Sequence, residues 1–63
     1  MNALWWIHYR DENAPNVGPQ LLSLSSPDLS NPRKATARAR KTAVERLRRQ
    51  GKKPRLLSIQ CVG

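Results

Sequence analysis

Sixty-three residues with one cysteine and one histidine leave room for one small domain and nothing to staple it. A lone thiol excludes an internal disulfide, and His8 with Cys61 falls short of the ligand set of a structural zinc site. Twelve Lys and Arg against four Asp and Glu give a formal charge of +8 and a pI near 11.3, which points to polyanions as partners.

The N-terminal run Ala3-Leu4-Trp5-Trp6-Ile7 is apolar but short, and His8-Tyr9-Arg10-Asp11-Glu12 follows it in place of a small-residue cleavage site. It is far below the roughly 20 apolar residues that cross a bilayer. A soluble cytoplasmic protein with no membrane partner is expected. Residues 3–10 are rich in aromatic and β-branched side chains, the composition of a strand. Alternation puts Trp5, Ile7 and Tyr9 on one face and Leu4, Trp6, His8 and Arg10 on the other. The inverted assignment, Trp6 inside and Trp5 outside, satisfies the period equally. Residues 11–18 contain Pro15, Asn16 and Gly18, a turn-forming set. Residues 20–25 then alternate again with Leu22 and Leu24 on one face, so the two strands are expected as a hairpin.

Residues 25–32 carry two prolines and several capping residues, with Asp28 read as one of the turn or capping positions. Asn31 is the best N-cap, with Pro32 at the first helical position, where its missing N–H costs nothing. The helix is predicted to run to about Gln50, with Gly51 supplying the left-handed residue that ends it. Ala, Arg and Lys dominate this stretch and all are strong helix formers. After the basic link Lys52-Lys53-Pro54, residues 55–62 read as a third strand with Leu57, Ile59 and Cys61 on one face. The order β-β-α-β predicts an α+β fold, residues 1–63 forming one domain. Its helix packs on a three-stranded antiparallel sheet of order 2-1-3.

Placed at steps of about 100°, Ala35, Thr36, Ala39, Ala43, Val44 and Leu47 share one arc of the helix. Lys34, Arg38, Lys41, Arg48 and Arg49 occupy the opposite arc, interrupted only by Glu45. This is a stripe about 22 Å long at about 1.5 Å per residue. Exposed helix faces ordinarily mix both signs, but Glu45 is the only acid among residues 32–53. Like charges at i, i+4, such as Lys34 and Arg38, destabilise a helix by a few tenths of a kcal/mol, and an anionic partner removes that penalty. Arg33 and Lys34 stand in the first turn, where the macrodipole disfavours cations; Arg46, Arg48, Arg49, Lys52 and Lys53 crowd the other end, where it favours them. Arg33, Lys34, Arg38, Lys41, Arg48, Arg49, Lys52 and Lys53 are therefore the candidate site for nucleic acid or an acidic partner surface.

A single helix covers one side of the sheet. With Trp5, Ile7, Tyr9, Leu22, Leu24, Leu57, Ile59 and Cys61 against it, Leu4, Trp6, His8, Leu21 and Leu56 face outward. They form a patch for a protein partner, a second copy of the chain or a stacked base. Chemistry has fewer supports. His8 lacks an orienting partner by sequence, and Cys61 reads as a small core hydrophobe. Asp11, Glu12, Asp28 and Glu45 form no acid/base pair or metal site by spacing, and the glycines make no phosphate loop. No enzyme activity, cofactor, metal or small-molecule substrate is expected. Helix-turn-helix, zinc-finger and RNA-recognition modules lack their required elements here.

The pattern over residues 4–10, 20–25, 32–50 and 55–62 resembles the small phage-encoded inhibitors of bacterial machinery, among them anti-CRISPR proteins and phage RNA polymerase inhibitors. Those proteins are similar in size and set a helix across an antiparallel sheet. The resemblance lies in length and element order and assigns no role to any residue. It implies occlusion of a large nucleoprotein machine by a compact binder. The function expected is non-enzymatic docking through the basic helix. The alternative is an assembly subunit that uses the apolar sheet face.

Overall fold

Strict alternation governs the first strand. In the computed structural model, which describes residues 2–27 and 30–63, β1 (Asn2–Asp11) buries Ala3, Trp5, Ile7, Tyr9 and Asp11 and exposes every residue between them. Trp5 is therefore the inward tryptophan and Trp6 the outward one. β2 (Gln20–Pro27) pairs antiparallel with β1 from Tyr9↔Gln20 to Asn2↔Pro27. It runs two residues past the expected end because Ser26 continues the inward phase opposite Ala3. β3 (Pro54–Cys61) pairs antiparallel with the other edge of β1, giving the order β2-β1-β3. Asp28 lies outside the described residues.

The ends of the helix α1 (Pro32–Arg49) are set by the chemistry of its caps. The Asn31 side-chain oxygen accepts from the backbone N–H groups of Arg33 at 3.0 Å and Lys34 at 3.5 Å. At the far end Gly51 takes φ +80. Its N–H then donates to Arg48 C=O at 3.0 Å, and the Lys52 N–H donates to Leu47 C=O at 3.0 Å. That pair of bonds satisfies carbonyls the helix would otherwise leave open. The buried face is Ala35, Ala39, Ala43 and Leu47. Three alanines let the helix backbone sit close to the sheet, where they join Ala3, Trp5, Ile7 and Leu24 in the core.

Short connections fix how α1 crosses the sheet. It starts a few residues after the end of β2 and hands over to β3 within four residues of its last turn. It therefore runs diagonally, from above the end of β2 towards the start of β3. The corner at the start of β2 is filled from within the sheet by Tyr9. Its hydroxyl donates to Gln20 Oε1 at 3.1 Å and accepts from Lys52 Nζ at 3.0 Å, and the Lys52 ammonium lies 5.5 Å from the Tyr9 ring centre. The opposite corner is formed by the end of β3. Cys61 pairs with Trp5 there but is exposed, so it is not the core residue expected from alternation.

A second correction comes from register. β3 follows β1 residue for residue through Ile7↔Ile59 and His8↔Ser58, then shifts so that Tyr9 faces Leu56. The extra residue is a β-bulge, which leaves Leu57 without a partner and reverses the inward and outward phases of residues 54–56. Leu56, expected in the outward patch, is half-buried and packs against the core; Leu57, expected inside, is 48% exposed.

Candidate functional site

The outer side of α1 is set by its inner side. Because Ala35, Ala39, Ala43 and Leu47 recur at four-residue intervals against the sheet, the residues on the opposite arc are held away from it. Lys34, Arg38, Lys41, Arg48 and Arg49 are all exposed there. Arg33 is exposed in the first turn, which contains no acidic residue. Two further cations are also exposed: Arg40, which sequence reasoning left out, and Arg46, which it placed in the cluster at the helix C-terminus but not in the candidate site. Arg40 lines a groove of about 410 Å³ between α1 and β3. Both could have been included from the charge count alone: α1 carries eight cations and one carboxylate. That carboxylate, Glu45, shares shallow hollows with Arg38 and Lys41 on one side and with Arg46 and Arg49 on the other. One negative charge among four positive neighbours leaves the face strongly cationic.

The two lysines after the helix separate. Lys53 is exposed, while its backbone closes the fold: its N–H donates to Asp11 Oδ1 at 3.0 Å and its C=O accepts from the Glu12 N–H at 2.8 Å. Lys52 is half-buried with its ammonium on Tyr9, so its charge is committed inside the fold and it leaves the candidate set. Asp11 is the counterpart of this link. It accepts backbone N–H bonds from Lys53 and Asn13, the latter at 2.9 Å. Its pKa falls below the ordinary 3.8, through the Lys53 N–H bond first, opposed by partial desolvation and assisted by the Asn13 N–H and the Lys52 charge.

On the outer sheet face, Leu4, Trp6, His8 and Leu21 are exposed as expected. His8 Nδ1 lies 3.1 Å from Ser58 Oγ. A Ser–His bond is one half of a hydrolytic dyad, but this one stands on an open sheet with solvent on both groups, where neither a substrate nor a developing oxyanion would be enclosed. Sequence reasoning did not bring Arg55 to this face. The bulge does, pairing it with Arg10. Among the described residues, no group of three or more His, Cys, Asp or Glu is placed to hold a metal ion. No helix among them is long and apolar enough to cross a membrane.

Comparison with protein-family models, with curated proteins and with solved structures returned no match.

Proposed function

We propose that this chain is a non-enzymatic, nucleic-acid-binding protein that lays the outer face of α1 along a phosphate backbone. The observation that carries this reading is the row Lys34, Arg38, Lys41, Arg48 and Arg49, exposed on one side of a helix whose sole carboxylate is Glu45. A row of fixed cations about 22 Å long gains from counterion release when it meets a regular array of phosphates. The alanine seam seats the helix backbone on the sheet, so little ordering of the backbone is required on binding. The element order shared with small phage inhibitors adds the expectation that docking occludes its target and does not transform it. A reducing cytoplasmic setting suits a chain with one unpaired cysteine.

The test is anisotropy of a labelled short DNA duplex, titrated between about 50 and 200 mM salt. If each of the five stripe cations neutralises one phosphate, the log–log slope is about −4.5, and affinity falls several hundredfold over that range. A flat slope overturns the proposal. Polyglutamate binding as tightly as the duplex would move the reading to an acidic protein surface.

A further inference from the structure

The sheet face turned away from α1 has its own chemistry. At its centre, on the middle strand, Trp6 is 42% exposed. Its partners across the strands are Ser23 on β2 and Gln60 on β3. Both are exposed and neither is a bulky apolar group, so no side chain directly opposite covers the indole, while Leu4 before it on β1 and Leu21 diagonally across on β2 are exposed apolar neighbours. His8 follows about 7 Å along the strand, between Leu21 and Ser58. Next comes Arg10, and directly across from it Arg55. Like charges at directly opposed positions destabilise a sheet, and an anion lying between the two guanidinium groups relieves that repulsion. The outward positions of the three strands contain no carboxylate. Two carboxylate residues, Asp11 and Glu12, line the hollow of about 170 Å³ that also contains the two arginines; Asp11 is already engaged by the backbone N–H groups of Asn13 and Lys53.

The geometry points to a second nucleic-acid site on this face: a platform for single-stranded nucleic acid, with a base stacked on Trp6 and a phosphate held by Arg10 and Arg55. Charge complementarity selects the occupant. An exposed aromatic ring with polar Ser23 and Gln60 directly across from it, and paired arginines further along the strand, offers a π-face and a cation, the two features that sequence-tolerant strand binders combine. A second copy of the chain laid on the face would instead meet an apolar area broken by Ser23, Ser25, Ser58 and Gln60, with arginines at one end. The proposal shares with the helix reading only the class of ligand, because the two surfaces lie on opposite sides of the sheet.

The experiment uses the intact chain, oligothymidylate, and an abasic deoxyribose-phosphate oligomer of equal length. Trp5 is buried and Trp6 exposed, so quenching of the long-wavelength tryptophan emission reports on Trp6. Oligothymidylate is expected to quench that emission and to bind roughly tenfold more tightly than the abasic strand. Trp6→Ala is expected to lose roughly that factor, while Trp6→Phe, which keeps a stacking ring, retains most of the affinity. Arg10→Gln with Arg55→Gln weakens both oligomers. Duplex binding that depends on Arg38 and Lys41 stays unchanged in all these variants, so failure of either site is read separately. Equal affinity for the two oligomers, or binding of oligothymidylate without quenching, overturns the platform. So does a blue-shifted Trp6 emission with a dimer mass in sedimentation, which would assign the face to a second copy.

Discussion

Replacing Arg38 and Lys41 together by alanine separates the role of the basic face from its place in the fold. Both residues are exposed and stand near the middle of the stripe, one turn apart. If each contacts one phosphate, the double variant removes about 1.8 from the salt slope, taking it from about −4.5 to about −2.7. Stability should barely move. Alanine is the best helix former and surface changes of this kind stay within about 0.5 kcal/mol. Loss of the Lys34–Arg38 repulsion adds a few tenths in favour of the fold, and loss of the Lys41–Glu45 attraction takes a similar amount away. The assay is duplex anisotropy across salt for the native and double-variant chains, with urea unfolding followed by circular dichroism on the same samples. An unchanged slope with an intact fold would show that phosphates are met elsewhere. A large loss of stability would show that these side chains support the fold and would refute the assignment of a free outer face.

Three further outcomes test how α1 is seated and how the two loops are joined. Leu47 is 1% exposed, so Leu47→Ala should cost about 2–5 kcal/mol in urea unfolding. That is a large share of the roughly 3–9 kcal/mol available to a chain of this length; a cost below about 1 kcal/mol would mean that the last turns do not pack on the sheet. At Gly51 a new Cβ would meet nothing within 4 Å, yet φ is +80. Gly51→Ala should therefore cost about 1 kcal/mol through backbone conformation alone, and Gly51→Asn should recover part of it; equal stabilities would exclude the left-handed cap. Because the folded-state pKa of Asp11 lies below 3.8, its contribution is present above that value and disappears as pH falls through the lowered folded value. Asp11→Asn should be less stable than the native chain at neutral pH, with the gap in Tm closing in strongly acidic buffer. A gap that persists there would place the effect outside this carboxylate.

The helix was legible residue by residue because its limits are local chemistry. Asn31 before Pro32 and Gly51 after Gln50 satisfy particular backbone groups, and the four-residue recurrence from Ala35 to Leu47 orients everything between them. Once that face was known, the exposed positions of Lys34, Arg38, Lys41, Arg48 and Arg49 followed. β3 was different. Residues 55–59 read Arg-Leu-Leu-Ser-Ile, and alternation from Ile59 selects Leu57 as the inward leucine; nothing in the sequence marks the shift that puts Leu56 inside in its place. The choice was made by the pairing with β1, through a bulge opposite His8 and Tyr9. Lys52 was hidden for a related reason. Its charge suggested a ligand contact, but its position just past the left-handed glycine sets its ammonium on Tyr9.

The bulge also changes the chemistry of the far side of the sheet. Continued alternation from Ile59 would have turned Arg55 inward and left Arg10 as a single outward cation. The inserted residue turns Leu56 into the core and aligns Arg55 with Arg10, so one register shift both packs the helix side and concentrates positive charge at one end of the face that carries Trp6. The two surfaces then differ in chemistry. The α1 stripe is long and has no aromatic group, suited to a regular run of phosphates. The sheet face offers one ring and two guanidinium groups over a few residues, suited to an exposed base and its neighbouring phosphate. The repulsion within each cationic set is a few tenths of a kcal/mol per pair, small beside the loss expected on truncating Leu47. The alanine seam can therefore hold both surfaces in place before any ligand arrives.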